Sequence, residues 1–214
     1  GWLAFMVIVP VNAWRAVERV PIRSAQPPAG GSGTNYLLVG SDSRAGLTDA
    51  EAAAIGSDKE TLGQRTDTIM LIHVSAGGGT SAVVSIPRDS YVPIPGHGSN
   101  KINAAFAFGG AKLLTQTVEQ ATGIRIDGYL EIGFGGFAKV VDSLGGVDVC
   151  VPTAIKDTMT GLDLAPGCQP MDGRTSLMYV RTRYTDPRGD LGRAERQRAF
   201  LSAVVKKALS PSTV

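Results

Sequence analysis

Short apolar, β-rich runs alternate with stretches of helical spacing along this chain, and that alternation restricts it to an α/β layered fold. Tyr36–Gly40 (YLLVG) is a continuous apolar run ending in glycine, which reads as a buried strand. Thr68–Val74 and Ser81–Ile86 are two further β-rich runs, and the intervening Ala76–Gly79 (AGGG) marks a hairpin. Ile102–Phe108 and Ala111–Thr122 carry helical spacing, with Gly123 as a stop signal. A strand at Ile126–Ile132 follows, then a helix at Phe134–Leu144 closed by Gly145 and Gly146. Val147–Val151 is another strand, and Asp172 caps a helix through about Tyr179. The hairpin makes the expected sheet mixed, not purely parallel. Ala45–Gly63 reads as a polar loop with one helical turn at Asp49–Ala54.

The chain has 214 residues, enough for one domain with a sizeable core. A net charge of +2 argues against non-specific nucleic-acid binding, which needs a strongly basic face. The run Trp2–Val11 is apolar except for Pro10, and is too short to cross a bilayer alone. Residues 1–19 are expected to be the remnant of a transmembrane or membrane-proximal helix, with Trp2 and Trp14 as interface residues; a helix packed on the domain is the alternative. Residues 20–34 form a Pro/Gly/Ser-rich linker, and the globular domain is expected over residues 35–214. Cys150 and Cys168 flank a Gly/Pro/Asp-rich segment that resembles a hairpin loop. They form either a disulfide, which implies an oxidising, exported location, or two buried thiols.

Seven arginines fall between Arg174 and Arg198. On a helix from Asp190 to Leu209, Asp190, Arg193 and Gln197 share one stripe with Leu201, Val204 and Ala208. The apolar half of that stripe faces a core, so the polar half aims a carboxylate, a guanidinium and an amide inward. Arg196 and Arg198 fall off the stripe and are expected in solvent. Arg181 and Arg183 alternate around Thr182 and would share one face of a strand. Three arginines converging on one place suit a multiply charged anion, most simply phosphate. An ion-pair network with Asp186, Asp190 and Glu195 is the structural alternative.

Four short polar motifs sit at the ends of expected strands, where α/β proteins place ligand sites: GSDSR (40–44), RTDT (65–68), IPRDS (86–90) and NKIN (100–103), the last opening a helix. They bring Asp42, Arg65, Asp67, Arg88 and Lys101 towards one sheet edge. Two carboxylates without a histidine cluster suit a hard cation such as Mg²⁺, with Mn²⁺ as a substitute, and phosphate oxygens as its further ligands. No Walker motif, GxGxxG or GxSxG is present. The stretch 102–144 is short of charge, which fits an ordinary core or a pocket for a long apolar chain.

GSDSR, RTDTIMLIHV, SIPRDSYV, KINAAFAFGG, SLGGVDV and YVRTRY…GDLGRAERQ together resemble the LytR-CpsA-Psr family, in that family's order, over nearly all of Tyr36–Leu209. The short loops and the cysteine pair are similar to its actinobacterial members. The resemblance implies a three-layer α/β/α sandwich with a mixed central sheet and a hydrophobic lipid tunnel. It implies a membrane-anchored, extracytoplasmic phosphotransferase of cell-wall biogenesis. Such an enzyme moves a glycopolymer, arabinogalactan in mycobacteria and corynebacteria, from a polyprenyl-pyrophosphate carrier to peptidoglycan through a phosphodiester link. Asp42 and Asp67 then match the Mg²⁺-associated aspartates. Arg65, Arg88, Arg181, Arg183 and Arg193 match the pyrophosphate-binding arginines, with Asp190, Gln197 and Lys101 as further polar contacts. Arg65, Arg88, Asp190 and Arg193 are the expected catalytic set, with Asp89 and Asp190 the candidates for taking the acceptor proton. Two other readings stand beside this one: a polyprenyl-pyrophosphate phosphatase with water as acceptor, and a non-catalytic, exported lipid-binding or regulatory protein.

Overall fold

The structure is a computed structural model that describes residues 18–24, 26–41, 66–158, 161–182 and 189–208, with the backbone alone at 67, 78, 190, 191, 206 and 208. The apolar run 2–11 and the expected loop 45–63 with its helical turn lie outside these residues. No helix among the described residues is long and apolar enough to cross a membrane.

The central sheet has the order β3-β2-β1-β6, from β1 (Thr34–Ser41), β2 (Thr66–Val74), β3 (Ala82–Ile86) and β6 (Gly128–Gly133). β1–β2 and β2–β3 are antiparallel and β1–β6 is parallel, so the sheet is mixed, as the hairpin at Ala76–Gly79 requires. Period-two alternation divides the residues of β1 between two faces. Leu37 and Val39 are fully buried and pack with Ile69 and Leu71 against Phe106, Leu114 and Val118 of helix α1 (Ala104–Thr122). Helix α1 breaks at Gly109 and Gly110, where its two stretches of helical spacing meet. Gly110 has φ 61°, ψ −154°, a conformation open to glycine alone at little cost. Gly123 caps the helix in the left-handed region, its N–H donating to Glu119 O at 2.8 Å.

The other sheet face behaves differently. Tyr36, Leu38, Ile72, Leu130 and Ile132 belong to neither of the two buried clusters, and Leu130 is 52% exposed although it lies beside Leu38. The second cluster joins α2 (Phe134–Ser143), α3 (Gly173–Arg181) and α4 (Asp190–Ala208) to β7 (Val147–Val151) and β10 (Gly167–Met171). A third layer thus forms across the sheet from α1. The side chain of Asp172 caps α3 by accepting from Thr175 N at 2.7 Å, and Asp142 of α2 accepts from Gly173 N at 2.7 Å.

Cys150 and Cys168 stand directly opposite each other in the β7–β10 ladder and are joined by a disulfide. The segment between them carries a hairpin of its own, β8 (Ile155–Asp157) with β9 (Leu162–Leu164). A further hairpin, β4 (Tyr91–Ile94) with β5 (Gly98–Lys101), precedes α1. The expectation that Asn100–Asn103 opens a helix is met at its last residue, since Asn103 is the cap before Ala104, while Asn100 and Lys101 instead end β5.

The expected linker is partly attached to the domain. Ile22 packs against the first cluster, and Ser24 Oγ donates to the carboxylate of Glu119. Glu119 is buried and also accepts from Ile126 N at 2.9 Å, so it ties residues 22–24 to the start of the β6 segment.

Candidate functional site

Strand direction assembles the site. β1, β3 and β6 all run the same way, so their carboxyl ends meet at one sheet edge beside the start of β2. At that edge the β1–β2 register slips: Gly40 pairs with Thr68 and Ser41 with Thr66, leaving Asp67 as the extra residue of a bulge. Asp42 follows β1 in the sequence. It lies outside the described residues, as do Arg65 and Arg183.

Arg88 lies two residues beyond Ile86, whose partner on β2 is Ile69, so the turn after β3 reaches the same edge. Backbone bonds fix that turn: Asn103 N donates to Arg88 O at 3.3 Å and Ile102 N to Ser90 O at 2.8 Å. Arg88 Nε lies 3.5 Å from Asp89 Oδ2, and Lys101 Nζ lies 2.6 Å from Asp89 Oδ1. The hydrogen bond from Lys101 holds the Asp89 carboxyl below its ordinary range, opposed by desolvation and aided by the charges of Lys101 and Arg88. Asp89 is therefore ionised at neutral pH and a weak base. The structure places Lys101 in an ion pair with Asp89, the residue that follows Arg88.

Arg181 ends helix α3, which corrects the expected strand arrangement with Thr182 and Arg183. Its guanidinium carbon sits 4.3 Å above the ring of Phe134, the residue that follows Gly133 at the end of β6. Gly133 in turn pairs with Ser41, so Arg181 reaches the site edge from the β6 side. Thr182, the next residue, is buried and firmly anchored. Its N–H donates to Met178 O at 3.0 Å, and its hydroxyl donates to the buried Asp157 at 3.2 Å.

Helix α4 begins at Asp190, as its spacing predicts, and Arg193 on its first turn is 8% exposed. One turn later Gln197 Nε2 donates to Thr68 Oγ1 at 2.9 Å and to Val180 O at 3.3 Å. This amide crosses from the sheet edge to α3 and holds the start of α4 over the sheet. Both of its donors are engaged within the fold, so in this state Gln197 orients its neighbours.

The buried stripe of α4 is rotated from the expected one. Arg193, Arg196 and Phe200 are all buried, and Phe200 packs against Phe137 of α2. Arg196 is thus not a solvated residue. Its Nη2 donates to Thr182 O at 2.6 Å, and it lies near enough to Tyr179 to offset part of the rise that burial imposes on that phenol. Arg198 is exposed, as expected. The repeat 193, 196, 200 was present in the sequence, but a charged residue at 196 disguised it as part of the polar face.

Among the described residues no group of three or more His, Cys, Asp and Glu side chains could hold a metal ion. The two buried hydroxyls next to Asp42 and Asp67, Ser41 Oγ and Thr66 Oγ1, have no hydrogen-bond partner among the described residues. Hydroxyl oxygens of this kind are among the ligands a hard divalent cation accepts.

Arg88 and Arg181 thus lie at one sheet edge, Arg193 stands one turn before the Gln197 that bonds Thr68 of that edge, and the neighbouring sheet face is apolar and partly open. The chain belongs to the LytR_cpsA_psr family, which it matches over residues 15–214. It is 49% identical over 212 residues to the probable cell wall biosynthesis protein LcpB of Corynebacterium glutamicum, covering 99% of this chain and 51% of that protein. It is 37% identical over 199 residues to the polyisoprenyl-teichoic acid–peptidoglycan teichoic acid transferase TagU of Bacillus mycoides, covering 92% of this chain and 58% of that one. The chain therefore spans little more than half the length of these relatives. Among solved structures it is similar to YwtF (TagT) with bound octaprenyl pyrophosphate lipid. The TM-score is 0.66 with 32% identity, over 90% of this chain and 73% of that one.

Proposed function

We propose that this domain is a phosphotransferase that moves a cell-wall glycopolymer from a polyprenyl-pyrophosphate carrier to a peptidoglycan acceptor. The observation that carries the reading is the junction of the arginine edge with the open apolar face. Arg88, Arg181 and Arg193 bind the pyrophosphate oxygens, together with Arg65 and Arg183, while Lys101 is engaged by Asp89 and stays outside this set. The polyprenyl tail runs along Leu38, Leu130 and Ile132, where the sheet contributes apolar surface that neither core absorbs.

An acceptor hydroxyl attacks the phosphorus that bears the glycan. The bond from that phosphorus to the bridging oxygen breaks, and polyprenyl monophosphate leaves. The arginines spread the charge that grows on the bridging oxygen, which is how positioned cations lower such barriers. Asp42 and Asp67 would hold a Mg²⁺ or Mn²⁺ ion, which when bound neutralises pyrophosphate charge. The acceptor proton passes to a carboxylate, Asp190 being favoured over Asp89 because Lys101 keeps Asp89 weakly basic. With water as acceptor the same site would act as a pyrophosphatase.

The likeness to the probable cell wall biosynthesis protein LcpB supports a cell-wall polymer as cargo, which we take to be arabinogalactan-like, and the disulfide supports an extracytoplasmic location; residues 1–19 would then belong to a single membrane anchor. Arg88→Ala and Arg193→Ala test the reading. Each should lower turnover of a polyprenyl-pyrophosphate-linked glycan by about 10²-fold or more. Undiminished turnover in both would remove the assigned roles.

A further inference from the structure

The outer face of the β4–β5 hairpin is not used by the reaction above, yet it borders the Arg88 turn. Val92 packs on the first core and Ile94 is buried, so the alternate residues Tyr91 and Pro93 face away from the core. Tyr91 is 74% exposed and stands directly opposite Lys101 in the hairpin ladder. Lys101 is bound to Asp89, and Asp89 adjoins Arg88. A large ring held in water on a two-stranded ribbon, three residues from a phosphate-binding arginine, is placed where a second substrate would lie.

The chemistry of the surroundings selects that substrate. Lys101 is paired with Asp89 at 2.6 Å and Arg88 adjoins the same carboxylate at 3.5 Å, so the charges beside Tyr91 are engaged with one another and the face offers hydrogen-bonding groups. Such a face suits a neutral, polyhydroxylated ligand better than a phosphate. A pyranose ring has an apolar C–H face that packs flat on an aromatic ring, and its hydroxyls can meet the phenol and the exposed Asp89 carboxylate.

We infer that this face is the acceptor subsite, with Tyr91 as the platform for a neutral N-acetylhexosamine ring and its glycan chain. The inference rests on the phosphotransferase reading and specifies its second substrate. Tyr91 is linked to the Arg88 turn through Lys101 and Asp89, so a sugar stacked on it adjoins the turn that carries this arginine.

The test is calorimetric titration of the intact chain with a tetramer of β-1,4-linked N-acetylglucosamine, and separately with octaprenyl pyrophosphate. Tyr91→Ala should weaken tetramer binding by about tenfold or more, and Tyr91→Trp should restore it. The affinity of Tyr91→Ala for octaprenyl pyrophosphate should match that of the unsubstituted chain. Equal tetramer affinity in Tyr91→Ala, no tetramer binding by the unsubstituted chain, or loss of both ligands in Tyr91→Ala would each overturn the subsite. Arg193→Ala separates the two readings. If it keeps full affinity for octaprenyl pyrophosphate, the phosphotransferase site falls, whatever the tetramer shows.

Discussion

Arg196 Nη2 donates to the carbonyl oxygen of Thr182 at 2.6 Å, so a buried guanidinium on helix α4 holds the residue that separates Arg181 from Arg183. Thr182 is held from below by Met178 and from the side by Asp157. Its backbone cannot shift without breaking bonds to three elements. The direction in which Arg181 leaves α3 is thus set by groups that themselves touch no substrate.

Arg196→Ala should therefore act in two ways. Removing a charge-assisted bond and leaving a buried carbonyl without its donor costs about 2 kcal/mol, read as a lower urea midpoint. Octaprenyl pyrophosphate affinity should also fall under conditions where the variant is fully folded, because Arg181 loses its support. A loss of stability with unchanged affinity would mean that Arg196 is structural only. Arg196→Lys should recover part of the stability but less of the affinity, since an ammonium lacks the planar fork of donors.

Acid should destabilise the domain through its caps. The backbone N–H of Thr175 holds the Asp172 carboxyl below its ordinary value, with the Thr175 side chain and the charge of Arg174 acting in the same sense and burial against them. A depressed folded-state pKa contributes stability that is present above the unfolded value and lost as pH falls through the folded one. Melting temperature followed from about pH 5 to pH 2 should fall, and Asp172→Asn should flatten part of that fall because its amide caps at every pH. Asp172→Ala should cost about 1 kcal/mol at neutral pH. An acid limb unchanged in Asp172→Asn would remove this assignment.

Reduction should weaken the β7–β10 ladder. The cysteines are 18 residues apart, and closing such a loop stabilises a domain by about 3 kcal/mol in the chain-entropy model. Unfolding with and without reductant measures the difference, and the double Cys→Ser variant should match the reduced chain. Thiol labelling of the unreduced, denatured protein should find neither cysteine.

Much of the architecture was readable because it depends on local rules. Alternation between strand and helix spacing located β1, β2, β3, β6, α1 and α2, and even the break in α1 at Gly109 and Gly110. Asp172 and Gly123 marked a helix start and a helix end through their capping chemistry alone. The short hairpins β4–β5 and β8–β9 escaped notice because strands of three or four residues carry too little pattern to register against their turn residues.

The site shows the same division. The sequence by itself determined which cations and acids exist, their order, and the elements that carry them, because propensity and spacing act over a few residues. Whether Arg196 is solvated or buried, whether Arg181 lies on a strand or at a helix end, and which sheet face stays open were decided only by tertiary packing. Those outcomes depend on what residues far apart in the chain offer one another: a carbonyl at Thr182 for Arg196, an aromatic ring at Phe134 for Arg181, a hydroxyl at Thr68 for Gln197. No pattern of a few residues encodes partners that lie 14 to 129 residues away, and burying a charge is favourable only once its partner is in place.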